Sequence, residues 1–431
     1  MEITVEGNKK KSIQTSITVP GDKSITHRAI IFTSIARGVS KIQDLLDGLD
    51  CRNTLLCMQA LGANIEKENP FLLKIKGKGP NRLKMPENVL DVGNSGTTMR
   101  LLAGLLAGQN FCSVLDGDDS IRNRPMKRII QPLSLMNAQI KGVFHANFAP
   151  LNIIGQSLQG IDYTLPVASA QVKSAILLAS LYGKGETVIR EKQPTRDHTE
   201  RMLSLMQANI QSFPDQKIRL IPGKELKGVD IDIPGDVSSA AYFIAVGCVR
   251  EGSEIIIRNV GINPTRTGFL EVLKEMGANI QMYNQKSISN EPRADILIKG
   301  AILKGIQIDK KMIANIIDEL PLVAVMATLA HGKTIVKDAQ ELRVKESDRI
   351  KAIVEGLSRM GADIIEKNDG FEILGPTDLT GNTLNSFNDH RIAMSLAVAA
   401  SYAEGKTVIR ETECIDISYP DFIPTYQKIM E

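Results

Sequence analysis

The stretch Asp389-His-Arg-Ile-Ala-Met-Ser-Leu-Ala-Val-Ala-Ala-Ser-Tyr-Ala-Glu-Gly405-Lys-Thr-Val-Ile409 contains the fold in miniature. It reads as a capping aspartate, an Ala-rich helix that is apolar nearly all round, a glycine turn and then a short β-branched strand. The same sentence occurs five more times. Helix openings fall at Asp22, Asn94, Ser169, Asp236 and Asp318, and the glycine-led strands follow at Gly38, Gly108, Gly185, Gly252 and Gly332. The distance from opening to glycine is 14 or 16 residues in every copy, a constancy that chance does not give. A second phrase closes five of the units: Leu61-Gly-Ala-Asn-Ile, Met136-Asn-Ala-Gln-Ile, Met206-Gln-Ala-Asn-Ile, Met276-Gly-Ala-Asn-Ile and Met360-Gly-Ala-Asp-Ile.

Each unit therefore reads as buried helix, glycine turn, strand, loop, amphipathic surface helix and further strands. Units begin 67 to 82 residues apart, longer than most solenoid repeats, so each has the size of a small α/β subdomain. Pro-Gly-Asp occurs twice, at Pro20–Asp22 and Pro234–Asp236, and separates units one to three from units four to six. These are two crossing points between two lobes: 21–234 forms the N-terminal lobe, and 235–431 with a returning strand from 1–20 forms a discontinuous C-terminal lobe. Two lobes joined by paired strands predict a cleft that closes on a ligand.

Composition narrows the function. The 431 residues carry a net charge of only +3, and aromatics are 4% with no Trp, which argues against nucleic-acid or membrane partners. The five cysteines (Cys51, Cys57, Cys112, Cys248, Cys414) form no CxxC pair and read as reduced, buried thiols of a cytoplasmic protein. The five histidines have no HxH or HExxH spacing, and no GxxxxGK[ST] or strand-following GxGxxG is present. Neither a metal nor a cofactor is expected.

What stands out is the company at the helix starts. Lys23, Ser24 and Arg28 open the first helix, and Asn94-Ser-Gly-Thr-Thr with Arg100 the second. Ser169, Gln171 and Lys173 open the third, Asp318 and Glu319 the fifth, His390 and Arg391 the sixth. Cations are unfavourable at the positive end of a helix dipole, while its free N–H groups bind anions; a bridging anion reconciles the two. Pairing with a local acid, such as Lys23 with Asp22, is the plainer reading for any single helix, but not for four of six. The loops before the surface helices add Arg122-Asn-Arg-Pro, Pro194-Thr-Arg-Asp, Pro264-Thr-Arg-Thr and Arg343-Val-Lys-Glu-Ser-Asp-Arg349, whose guanidinium forks suit phosphate and carboxylate. Arg266 reads as part of a solvated charged face with ion pairs. The last loop, with three cations and two acids, can bind phosphate and move protons.

Taken together, Pro20-Gly-Asp-Lys-Ser-Ile-Thr-His-Arg28, Gly93-Asn-Ser-Gly-Thr-Thr-Met-Arg100, Arg124-Pro-Met, Ala168-Ser-Ala-Gln171, Ile317-Asp-Glu-Leu-Pro321, Arg343–Arg349 and Asn388-Asp-His-Arg391 resemble the enolpyruvyl transferases, in the branch that acts on shikimate 3-phosphate. The resemblance runs from the first unit to the sixth. It implies two lobes, each of three βαβαββ units about an approximate threefold axis, with the active site in the cleft between them. It implies transfer of the enolpyruvyl group of phosphoenolpyruvate to the 5-hydroxyl of shikimate 3-phosphate by a monomeric enzyme. By the same resemblance Lys23, Ser24, Arg28, Ser169, Gln171, Asp318 and Lys345 contact shikimate 3-phosphate, with Arg196 at its phosphate. Lys23, Gly96, Arg124, Gln171, Arg349 and Arg391 hold phosphoenolpyruvate. Asp318 is the candidate base at the hydroxyl, and Glu346 with Lys345 the candidate proton donor to C3, beside Lys23. Many members carry a lysine where this chain has Ile417. The sister branch that acts on UDP-N-acetylglucosamine uses a cysteine in the loop equivalent to roughly Leu115–Arg128, where this chain has none. A DNA sliding clamp also stacks six α/β units, but its cations would line a ring at phosphate spacing.

Overall fold

The computed structural model describes residues 1–8, 11–146 and 148–430. The chain forms two compact units: Met1–Pro20, Pro234–Ser287 and Pro292–Glu431 make one, and Gly21–Ile233 with Ile288–Glu291 the other. Each has its own apolar core built from three buried helices and the inner faces of three sheets.

The six buried helices are α1 (Lys23–Ile35), α2 (Gly96–Ala107), α3 (Ala170–Ser180), α4 (Val237–Cys248), α5 (Leu320–Thr328) and α6 (His390–Tyr402). Asp22, Ser169, Asp236 and Asp389 cap α1, α3, α4 and α6 through their side chains, at the openings expected from sequence. Two openings move. Ser95, not Asn94, caps α2 by accepting from Thr98 N at 3.1 Å, because the Asn94 amide is taken up by Arg124 and Asp118. Asp318 does not stand at the cap position: α5 begins two residues later, with Glu319 at the cap and no side-chain cap bond from it. Every residue of α4 and α5 is buried, which their uniform hydrophobicity requires.

All six glycine-led strands form, and each lies between one parallel and one antiparallel neighbour. Arg37–Gln43 pairs in parallel with Ile231–Asp232, Cys112–Asp116 with Leu90–Asp91, and Thr187–Arg190 with Asp162–Thr164. In the other unit Glu254–Gly261 pairs with Gln14–Thr18, Gly332–Val336 with Gln307–Ile308, and Lys406–Arg410 with Thr383–Asn385. The N-terminal segment thus serves two sheets, because Glu2–Glu6 is also the antiparallel partner of Lys406–Arg410. In four of these pairs the two strands flank one buried helix (α2, α3, α5 or α6), the βαβ connection that lays the helix on the sheet, whereas the partners of Arg37–Gln43 and Glu254–Gly261 come from distant parts of the chain.

The closing phrase has a conformational cause. Gly62, Asn137, Gln207, Gly277 and Gly361 all have positive φ, between 66° and 101°. Each stands just past the end of a surface helix, where a left-handed residue turns the chain into the next strand. Of the cysteines, Cys51, Cys57, Cys248 and Cys414 are buried, but Cys112 is exposed at the first position of its strand. The expectation of five buried thiols is corrected there: the strand turns Ser113 and Leu115 inward, and the alternation leaves Cys112 on the opposite face.

Candidate active site

In the unit of residues 21–233, the first turns of α1, α2 and α3 gather the expected side chains. Lys23 pairs with Asp50 at 2.6 Å, and not with Asp22, whose carboxylate accepts from Ile25 N at 2.9 Å. Arg28 is buried; its Nε donates to Thr199 Oγ1 and its Nη2 to Ser174 Oγ, both at 2.7 Å, and Nη1 donates to the Ser24 carbonyl at 2.9 Å. Burial, opposed by Glu200 and Asp22, lowers the Arg28 pKa to about 10, still fully charged at neutral pH. His27 beside them is held well below the usual imidazole value by burial and by Lys23 and Arg28, so it is neutral.

Gly96 is the first residue of α2, where backbone N–H groups are free to bind an anion. A Cβ built on it would lie 3.0 Å from Arg100 Nη1 and 3.1 Å from Arg124 Nη1. Two guanidinium groups therefore press against this helix start. Arg100 donates to Gln171 Oε1, Gln171 Nε2 donates to Thr97 Oγ1 at 3.0 Å, and Arg124 Nη2 donates to Asn94 Oδ1 and to Ser120 Oγ. Ser169 caps α3 by accepting from Val172 N at 3.4 Å. Arg196 is half-buried in the loop before the helix His198–Leu205.

The other unit holds the acids. Asp318 lies with three cations: Arg349 Nη1 at 3.4 Å, Arg391 Nη2 at 3.5 Å and Lys345 Nζ at 3.8 Å. Arg349, 1% exposed, also donates to Glu346 Oε2 at 2.6 Å and Asp389 Oδ2 at 2.8 Å. Burial alone would lower the Arg349 pKa, but Asp389 and Glu346 outweigh it and push it above the ordinary value. Arg391 behaves alike, raised against burial mainly by Asp318. Burying such cations is costly unless they are paired, and here each is. Asp389 does two jobs, since its Oδ1 also caps α6 at Arg391 N.

Two expectations change. Arg343 does not join Asp318; it donates to the Asn368 and Lys367 carbonyls and to Asp348 and Glu366, tying down the start of its loop. Of the three cations in that loop, only Lys345 and Arg349 reach the acid. Nor does Arg266 lie on a solvated face: it is buried, pairs with Asp236 at 3.0 Å and donates to Ser238 Oγ at 2.8 Å, at the start of α4. Ile417, at the position of the family lysine, is buried in the apolar core. Asp50, and Asp389 as a partner of Arg349, were invisible in the sequence: each is an ordinary helix-start acid whose partner lies tens of residues away.

The chain can now be set beside known proteins. The sequence profile of EPSP synthase (3-phosphoshikimate 1-carboxyvinyltransferase) matches residues 8–426. The 3-phosphoshikimate 1-carboxyvinyltransferase of Thermoanaerobacter pseudethanolicus is 51% identical over 99% of this chain and 100% of its own, and that of Petrotoga mobilis 48% identical over 99% of each. EPSP synthase from Acinetobacter baumannii, at 42% identity, superposes with a TM-score of 0.88 over 99% of this chain and 98% of its own. The enolpyruvyl transferase NikO from Streptomyces tendae, 15% identical, shares the fold with a TM-score of 0.80 over 99% of this chain and 97% of its own. The chain belongs to the EPSP synthase family.

Proposed function

We propose that the residues gathered at the helix starts carry out the family's reaction in the roles that follow. The enzyme transfers the enolpyruvyl group of phosphoenolpyruvate to the 5-hydroxyl of shikimate 3-phosphate and releases phosphate, a step of the shikimate pathway to chorismate and the aromatic amino acids. The observation that carries the assignment of roles is the pair of guanidinium groups on Gly96, at a helix start with free N–H groups. Phosphoenolpyruvate brings a phosphate and a carboxylate, and that arrangement answers both charges.

Lys23, Gly96, Arg124, Gln171, Arg349 and Arg391 hold phosphoenolpyruvate. Lys23, Ser24, Arg28, Ser169, Gln171, Asp318 and Lys345 contact shikimate 3-phosphate, with Arg196 at its phosphate. Both ligands are polyanions that repel one another in water, and fixed cations offset that repulsion without reorganising during the reaction. The 5-hydroxyl adds to C2: its proton goes to Asp318, and C3 receives a proton from Glu346, assisted by Lys345. The resulting tetrahedral ketal breaks its C2–O bond to phosphate while C3 returns a proton to the Glu346 carboxylate, restoring the double bond, and the departing phosphate takes the proton held by Asp318. Cations beside the departing phosphate stabilise the charge that develops there.

Among the described residues no helix is long and apolar enough to cross a membrane, and no group of His, Cys, Asp or Glu side chains could hold a metal ion. We place the enzyme in the cytoplasm, as a monomer acting on small molecules without a nucleic-acid partner; the near-balanced charge supports the last of these. Phosphate release from phosphoenolpyruvate tests the reaction, with shikimate 3-phosphate or UDP-N-acetylglucosamine as acceptor. Release that depends on shikimate 3-phosphate is expected; release only with the sugar nucleotide would reassign the chain to the sister activity.

A further inference from the structure

Lys173 lies one turn into α3 and is wholly buried, although its helix start already supplies Ser169 and Gln171. Its ammonium pairs with Glu191 at 3.0 Å and Glu200 at 2.6 Å, and donates to the Thr195 carbonyl at 3.4 Å. These partners are the first residue, the middle and the last residue of Glu191–Glu200, the segment that leads from the strand Thr187–Arg190 into the helix His198–Leu205. Arg196 stands within it. Thr195 Oγ1 closes back onto Glu191, Thr199 bonds Ser174 and Arg28, and His198 Nδ1 is fixed by Glu291 at 2.8 Å.

Such an ion trio is a poor source of stability. Three buried charges lose their hydration, and well-packed apolar side chains in the same space do as well or better. What the trio does provide is a single conformation: one cation gathers both ends of the segment and one carbonyl between them. Burial would lower the Lys173 pKa, yet Glu200 and Glu191 outweigh it and raise it, so the ammonium keeps its charge, while burial holds Glu191 above the usual carboxylate value.

We propose that Lys173 is a positioning residue, which holds the segment Glu191–Glu200 so that Arg196 faces the 3-phosphate of shikimate 3-phosphate. The proposal rests on the reading of Arg196 given above. Its test compares three variants by steady-state phosphate release, varying each substrate at saturation of the other. In Lys173→Met combined with Glu191→Gln and Glu200→Gln, the carboxylates are neutralised so that the trio itself leaves no unpaired charge, while Arg28 keeps Asp22 nearby. We expect this variant to raise the KM for shikimate 3-phosphate about tenfold, the scale of one charged hydrogen bond, with the KM for phosphoenolpyruvate within about twofold. Arg196→Ala alone should give a similar rise, and adding it to the triple variant should add almost nothing, since both act through one contact.

If Arg196→Ala leaves both constants unchanged, the phosphate reading of Arg196 fails and the proposal with it. If Arg196→Ala raises the KM but the triple variant does not, or if the two effects multiply, Lys173 does not act through Arg196. Should the triple variant melt without cooperativity, Glu191→Gln alone decides: it keeps the Lys173–Glu200 pair but loosens the segment, and a KM for shikimate 3-phosphate that does not move overturns the proposal.

Discussion

Replacing Gly96 by alanine should separate stability from activity. The new methyl would stand 3.0 Å from Arg100 Nη1 and 3.1 Å from Arg124 Nη1, against a comfortable separation of about 3.5–4 Å. Both guanidinium groups must retreat by a few tenths of an ångström, and neither is loose: Arg100 is bonded to Gln171, and Arg124 to Asn94 and Ser120. A charged hydrogen bond contributes about 1.5–3 kcal/mol, and weakening one without losing it costs about 1–2 kcal/mol. That is roughly a five- to thirtyfold rise in the KM for phosphoenolpyruvate. The KM for shikimate 3-phosphate should stay within about twofold. The fold should not suffer, because Gly96 lies within a helix, where alanine is favoured over glycine by up to about 1 kcal/mol. Steady-state phosphate release and a thermal melt on the same preparation measure both. A phosphoenolpyruvate KM that does not move, with the melt unchanged or raised, would show that the two guanidinium groups do not face this substrate.

Arg124→Ala should weaken phosphoenolpyruvate binding by about 1.5–3 kcal/mol, read from its KM at saturating shikimate 3-phosphate; an unchanged KM removes Arg124 from the site. Asp318→Asn keeps the shape but not the charge facing Lys345, Arg349 and Arg391, and kcat should fall by about 10²–10⁴ with the melt still cooperative. His27 gives a pH signature: its folded pKa is depressed, so below about pH 6.5 the unfolded chain binds a proton that the folded one refuses, and stability falls as pH falls, by up to about 1.4 kcal/mol per unit. His27→Gln should therefore narrow the gap between melting temperatures at pH 7 and pH 5; an identical gap would show that another group sets it. Burial pushes Cys57, Cys248 and Cys414 up to about 12, whereas Cys112 is exposed. Maleimide at pH 7.5 should label Cys112 first without loss of activity, and inactivation by that label would place a thiol in the chemistry.

The repeat was legible because it is written in local chemistry. A capping side chain, an apolar run and a left-handed residue are each decided within a few positions, so Asp22, Ser169, Asp236 and Asp389 could be read as caps directly. The same logic misplaced Asn94 and Asp318, whose polar groups are spent on distant cations. In Asp318 this is informative: a carboxylate beside a helix start that faces Lys345, Arg349 and Arg391 is engaged in the cluster and not at the cap position. Charge partners were the least legible. Lys23 finds Asp50 rather than its neighbour, and Arg343 leaves the cluster that its sequence neighbours form, because pairing is settled by which helix starts the fold brings together. The Ile288–Glu291 segment, which groups with 21–233 while the chain on both sides belongs to the other unit, left no mark in composition or pattern.

The pairing of Glu2–Glu6 with Lys406–Arg410 has a consequence for synthesis on the ribosome. Glu2–Glu6 must wait for a partner roughly 400 residues further along the chain, or about 20–80 s at ordinary elongation rates. The unit of Gly21–Ile233 and Ile288–Glu291 is complete once Glu291 has emerged, well before Lys406, and can fold ahead of it. The opening strand meanwhile is an unpaired edge, the kind of segment that recruits wrong partners. Its alternation answers that hazard: Ile3 and Val5 are the buried face, while Glu2 and Glu6 are charged and face outward. Two like charges on so short a strand keep nascent chains apart until the final sheet can close.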